Sequence, residues 1–445
     1  MFYKIENSDG KCWLMPVRNV RMGLALYQPS GWKGRLLKRW FPYVHWSKLV
    51  RKVLKIEVVE HVMEEELKRV ICSAFGVSGF EYSVFEGTPS VHQKTTIQVW
   101  KGERILGYVK VTRSEEMGRL FEREASFLEN VNSQQSTVNS QRLTVNRQRS
   151  TVNSQQSTVN ITPFGRDFCS AQHSTSKLDS AFAYRKKSTV NRQQILTPSA
   201  TLVPLRQGDN IEGQPLLRCV PSAVVLRLES GSWILIQSTR KTLRSVVVHE
   251  WGVLQENFLK RLYVATAKEI EWEESDVAQA LRDLREHVEW LPVGVDGDVV
   301  ARRIDAVMER MAGKRVRYGA YHGDFTPWNM FVEGGELFVF DWEYAGWGYP
   351  MGLDRYHFWM QTALFEKHWG VEELKRYMSS EEGKWIDREM LEMYLLDVMS
   401  KYVMREGGKV KELGLFGVWA TINSQQSTVN SQQSTVNSQH YSLWS

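Results

Sequence analysis

His322, Asp324, Asn329 and Asp341 are the residues whose types and spacing promise chemistry. They lie in HGDFTPWN and FVFDWEYA, with Asn329 five residues after Asp324 and Asp341 twelve after Asn329. Phosphoryl transfer asks for such a set. A carboxylate must sit beside an attacking hydroxyl. An amide oxygen and a second carboxylate must hold Mg²⁺ against the phosphates of ATP.

Both metal ligands must reach one ion, so the chain between them has to double back. Residues 330–332 and 337–340 are short apolar runs, and Gly334-Gly335 supplies a tight turn between them. Gly323 and Pro327 keep the preceding loop from becoming helical. The competing reading is a surface loop whose Asp and Asn only cap turns. It needs five polar identities to coincide with a strand–turn–strand frame.

With these residues in view, the chain resembles the aminoglycoside phosphotransferase and choline kinase family. HGDFTPWN and FDWEYA look like its catalytic and metal-binding motifs, and the likeness extends more weakly over roughly residues 80–130 and 198–405. The resemblance implies an α+β, bilobal, protein-kinase-like fold: a small antiparallel-sheet N-lobe and a mainly helical C-lobe. It implies an ATP-dependent, Mg²⁺-assisted kinase acting on a hydroxyl of a small molecule. It gives Asp324 the role of catalytic base, His322 that of a brace for the loop, and Asn329 and Asp341 the metal. Asp354, in GLDRYHF, resembles an Asp that steadies the loop from the next helix.

The elements upstream must supply the nucleotide site. Lys110 ends the apolar run 105–110, and the resemblance sends it to the α- and β-phosphates. Residues 114–129 read as a helix with Leu120, Phe121, Ala125 and Leu128 on one face. Glu124 on that helix matches the Glu that holds the Lys. Glu122 competes, but two positions on a helix lie about 200° apart, so only one of the pair can face Lys110. Residues 81–86 and 94–100 read as strands around a turn with a single glycine, where Ser90 could touch phosphate. Residues 223–228 and 233–237 read as a hairpin, with 201–205 as a further strand.

The second half reads as helical: 253–270, 276–290 with Ser275 as N-cap, 298–311, 353–369 and 386–404. The aromatic-rich stretch 344–369 reads as core, with an aromatic cage for a cation as its rival.

The net charge of +6 conceals a division. Residues 11–56 carry eleven Lys or Arg and no acid, residues 131–197 a net seven, and the remainder is left at −12. Four scattered cysteines, without zinc or redox spacing, fit a reducing cytoplasm. A heptad, NSQQSTV, recurs from Asn132, fades, returns at Asn153, and appears twice more from Asn423. One Val per repeat is too little for a coiled-coil seam, so these stretches read as disordered insertions. The expected organisation is therefore an N-terminal extension (1–79), an N-lobe (80–240) interrupted at about 131–197, a C-lobe (241–421) and a repeat tail (422–445).

Residues 30–56 admit two readings. The mixture of Trp, Phe, Tyr and eight Lys or Arg suits an interfacial helix on an anionic membrane, or a polyanion-binding arm. The favoured reading is an extension packed on the N-lobe with a solvated basic face. Pro42 is expected to break any single long helix. No nucleic-acid recognition motif accompanies the charge. The alternatives to a kinase are a catalytically silent scaffold of the same fold and a protein that works through this arm. The sequence sets no oligomeric state.

Overall fold

The computed structural model describes residues 1–7, 10–27, 32–88, 93–133 and 219–407. The chain divides into a unit of residues 1–136 and 203–445 and a second, 137–202, that falls outside the described residues. Ser90, strand 201–205, most of the repeat block and the 422–445 tail also lie outside them.

The expected division holds: an antiparallel N-terminal sheet precedes a mainly helical region. The sheet has eight strands: β1 (Phe2–Glu6), β2 (Cys12–Pro16), β3 (Glu57–Val59), β4 (Glu81–Glu86), β5 (Thr95–Lys101), β6 (Arg104–Thr112), β7 (Ala223–Arg227) and β8 (Trp233–Ser238). Their order is β3-β1-β2-β4-β5-β6-β8-β7. Residues 1–79, read from sequence as an extension leading into this sheet, contribute three of its strands. Four helices accompany the early strands: α1 (Val20–Gly23), α2 (Trp32–Val44), α3 (Lys48–Val53) and α4 (Glu65–Phe75). Pro42 does not end α2; it sits within its last turn, and the break falls after Val44. There the only N–H a proline removes is one helical donor near an end that is about to stop.

Helix α5 runs over 115–133 and so enters the first residues of the repeat block, with Val131 buried. Phe121 and Leu128 are fully buried on its inner face, as their spacing requires.

The helical region contains α6 (Val253–Thr266), α7 (Asp276–Glu286), α8 (Gly297–Met311), α9 (Leu353–Gln361), α10 (Val371–Met378) and α11 (Arg388–Glu406). Ser275 caps α7 by accepting from the Ala278 N–H at 3.2 Å, and Asp387 caps α11 by accepting from Met390 at 2.9 Å. The helix expected over 253–270 stops at Thr266. Residues Lys268–Glu271 instead form β9, which pairs antiparallel with β10 (Arg315–Tyr321). Pairing with β10 over all four residues takes the place of another turn of helix. Tyr349, Tyr356, Phe358 and Trp359 are buried, so the middle of the aromatic stretch is core, while Phe365 is exposed.

Strands β11 (Met330–Glu333) and β12 (Glu336–Val339) form the expected hairpin. Gly334 and Gly335 turn it with φ of +59° and +82°, the left-handed pair that a two-residue hairpin loop requires.

Candidate active site

Strand β10 delivers His322, Gly323 and Asp324 to the mouth of the hairpin. Gly323 has φ of +80°, and a Cβ there would lie 2.3 Å from the Tyr344 carbonyl oxygen, so only glycine fits. Its neighbour His322 is fully buried. The ring accepts from the Asp324 N–H at Nδ1 (3.2 Å) and donates from Nε2 to the Phe340 carbonyl (3.1 Å). It thus ties the loop to the strand that returns from the hairpin. Burial pushes its pKa down, against the opposing pull of Asp354. A neutral ring is what a donor–acceptor brace needs. Asp354, at the start of α9, accepts from the His322 and Gly323 N–H groups at 2.9 and 3.1 Å.

Asp324 is gripped from two directions. The Asn329 amide donates to Oδ2 at 2.7 Å and to the Asp324 carbonyl at 3.0 Å. The Nε2 of His357, on α9, meets Oδ1 at 3.0 Å, and the Tyr394 hydroxyl of α11 meets His357 Nδ1 at 3.2 Å. A carboxylate oxygen accepts, so Nε2 donates to Oδ1, and the Tyr394 hydroxyl pairs with the other ring nitrogen. Both partners are buried, whereas 28% of the Asp324 side chain reaches solvent. Asp324 therefore has an open edge and a fixed back.

Asp341 stands at the end of β12 with φ of +67°, a left-handed conformation that Asp tolerates at a cost of about 1–2 kcal/mol. That turn swings its carboxylate toward the sheet. Lys110 on β6 donates to Asp341 Oδ1 at 2.5 Å and to Glu124 at 2.9 and 3.2 Å. Glu124, fully buried on α5, accepts further bonds from the Gln237 side chain and the Trp342 N–H, both at 2.9 Å. One carboxylate thereby joins the sheet, α5 and the strand end that carries Asp341. Glu122 lies on the exposed side of α5, as the 200° argument requires.

Two residues here escaped the sequence reading. Lys94, just before β5, donates to Glu343 at 2.5 Å and lies 3.8 Å from Asp341. Burial would raise the Asp341 carboxyl, but Lys110 and Lys94 more than offset it and hold the group well below the usual carboxylate range. Burial would likewise lower both lysines. The neighbouring acids, Asp341 foremost, instead raise them. Glu343 is pushed up by burial, with Lys94 pulling the other way.

The acidic groups fit a divalent cation. Glu124, Asp341 and Glu343 each bring a carboxylate oxygen within 4.8 Å of the others. Hard oxygen donors at that spacing suit Mg²⁺ or Ca²⁺. Asn329, with its nitrogen committed to Asp324, has its amide oxygen left to offer.

His357 and Tyr394 were also missed. The available signal was spacing: His357 lies three residues after Asp354 on α9, so both share the helix face turned to the loop. Of the residues singled out in sequence, His322, Asp324 and Asn329 form one cluster and Lys110, Glu124 and Asp341 another. Ser90 lies outside the described residues.

The model of a family described as "Phosphotransferase enzyme family" matches residues 257–388. No curated protein matches the chain. Among solved structures, a thermostable mutant of aminoglycoside phosphotransferase APH(4)-Ia in its apo form is 12% identical, with 82% of this chain and 99% of that one covered and a TM-score of 0.40. Amicoumacin kinase hAmiN, in complex with AMP-PNP, Ca²⁺ and Ami, is 13% identical over 82% of this chain and 94% of that one, at 0.35. Choline kinase LicA from Streptococcus pneumoniae is 15% identical over 48% and 74%, at 0.31.

Proposed function

From a chain whose residues 257–388 match the phosphotransferase enzyme family, we propose an ATP-dependent kinase that phosphorylates a hydroxyl of a small molecule. The observation that carries the reading is the junction at Asp341. A buried Lys–Glu pair from the sheet and α5 meets a carboxylate presented by the hairpin, and the open edge of Asp324 belongs to the loop that leads into the same hairpin.

In this reading the acceptor oxygen attacks the γ-phosphorus of ATP as the bond to the β-phosphate oxygen breaks. ADP leaves, and the hydroxyl proton passes to Asp324. Asn329 and Asp341 would hold the divalent cation, with Glu343 close enough to share it. When bound, that cation supplies positive charge against the phosphate oxygens. Lys110 serves the α- and β-phosphates, held in place by Glu124. Lys94 lies close enough to the same carboxylates to act as a second phosphate-facing cation. His322 and Asp354 brace the loop, and His357, backed by Tyr394, fixes the Asp324 carboxylate. The protein does little covalent chemistry; positioning and charge account for the rate.

The test is ADP release from purified protein with Mg²⁺-ATP and a panel of small alcohols, sugars and aminoglycosides, with Asp324→Ala in parallel. Acceptor-dependent release that the variant loses supports the kinase. Thermal stabilisation by Mg²⁺-ATP without release for any acceptor points to a nucleotide-binding scaffold. The absence of both release and stabilisation overturns the reading.

A further inference from the structure

Helices α2 and α3 present a surface that the phosphotransfer reading does not use. One side of α2 is anchored. Phe41 is fully buried against Tyr3 of β1, and Leu37 packs beside it. Among the described residues, nothing covers the opposite side. At 100° per residue, Leu36, Trp40 and Tyr43 fall within about 60° of one another, and the stripe of Arg35 and Arg39 lies directly beside them. All three apolar residues are exposed.

Exposed apolar residues continue past the bend. Trp46, Leu49 and Val53 are 72%, 72% and 73% exposed. Helix α3 buries none of its six residues. Its Arg51 holds it to the turn by donating to the His45 carbonyl at 2.7 Å and that of Trp46 at 3.1 Å. A short helix with three apolar residues and no buried one is held to this protein by Arg51 and not by apolar burial. Its apolar side chains need another phase.

Composition says which phase. Among the described residues, every exposed tryptophan or tyrosine (Trp40, Tyr43 and Trp46) falls in this stretch. Those two side chains prefer the boundary between headgroups and acyl chains. Residues 11–56 hold eleven Lys or Arg and no acid, and the first acid beyond them, Glu57, faces Lys4 in the β1–β3 register. No helix among the described residues is long and apolar enough to cross a membrane.

We propose that the α2–α3 face is a docking surface for an anionic lipid bilayer. Trp40, Tyr43, Trp46, Leu49 and Val53 enter the interfacial layer, and Arg35, Arg39, Lys48 and Lys52 meet acidic headgroups. This holds whether or not the protein transfers phosphate.

The test is flotation of the full chain with vesicles of phosphatidylcholine alone and of phosphatidylcholine with phosphatidylglycerol. The chain floats with the anionic vesicles and not with the neutral ones. W40S/Y43S/W46S/L49S abolishes flotation while melting and circular dichroism stay unchanged, since these side chains are exposed. R35E/R39E/K52E lowers the partition coefficient roughly fivefold or more for each site changed. A full chain that does not float overturns the proposal. So does a quadruple apolar variant that floats as wild type, because charge alone would then hold the protein. So does duplex DNA that binds the chain and strips it from vesicles while W40S/Y43S/W46S/L49S binds DNA equally well.

Discussion

On the sheet side of the site Asp341 lies against two lysines, whereas on the helix side Asp324 lies against an imidazole, an amide and backbone. Among the described residues no Lys or Arg pairs with Asp324. Asp341 has Lys110 at 2.5 Å and Lys94 at 3.8 Å. The difference matters because a nearby cation favours the ionised carboxylate and weakens it as a proton acceptor. A group meant to hold a metal benefits from that. A group meant to take a proton is better positioned by side chains other than the permanently charged Lys or Arg. The two aspartates are seventeen residues apart in sequence, and the fold assigns them opposite surroundings.

Asp324→Ala tests that assignment most strongly. Turnover should fall by about 10²–10⁴, the usual contribution of a positioned base, while Mg²⁺-ATP still raises the melting temperature. If both readouts collapse together, the division of labour between the two sides is wrong.

Asp341→Asn should do the reverse to binding, removing the cation-dependent part of the nucleotide-induced stabilisation. It also has a signature without ligand. The folded state holds the Asp341 carboxyl below its ordinary value, so its ion pairs stabilise the protein above about pH 4 and are lost as pH falls below that. Wild type should therefore exceed the variant by about 1–3 kcal/mol near neutrality, with the gap closing toward acid in urea titrations. A gap that is constant with pH would mean that Lys110 and Lys94 do not act on this carboxylate.

The two sides were unequally legible in the sequence. The loop and hairpin could be read because their geometry is local. Gly323, Pro327 and Gly334-Gly335 dictate the turns, and the ligands lie within twenty residues. Lys110 and Glu124 could be read only through resemblance, because a strand-end lysine and a helix glutamate meet across tertiary packing. Lys94 was placed at a strand start, but nothing local says that it reaches Glu343, 249 residues away. The sheet's first three strands were invisible for a similar reason. Phe2–Glu6 and Cys12–Pro16 are short runs whose strand character comes from pairing with each other and with β4. The end of α6 is not legible in sequence because apolar spacing continues past Thr266, while pairing with β10 decides the backbone.

His357 sharpens the comparison from the helix side. His357→Phe keeps a ring in place and removes the donor to Asp324. A hydrogen bond to a charged group contributes about 1.5–3 kcal/mol, so kcat should fall roughly 10–100-fold with the KM for ATP little changed. A merely structural role would lower stability and leave kcat per folded molecule alone. His357→Gln, which retains an N–H donor, should recover part of the loss.

Tyr394→Phe should have the smallest effect. It leaves the His357 bond to Asp324 intact and removes only the hydroxyl that meets Nδ1. A neutral hydrogen bond contributes about 1 kcal/mol, so kcat should drop by about fivefold at most. The double variant with His357→Phe should be no slower than His357→Phe alone, because the hydroxyl acts only through the ring. A Tyr394→Phe loss as large as that of His357→Phe would mean that tautomer and ring orientation are set by Tyr394 rather than by the packing of α9. No loss at all would mean that the packing suffices, and that Asp324 has one positioning partner on this side instead of a relay of two.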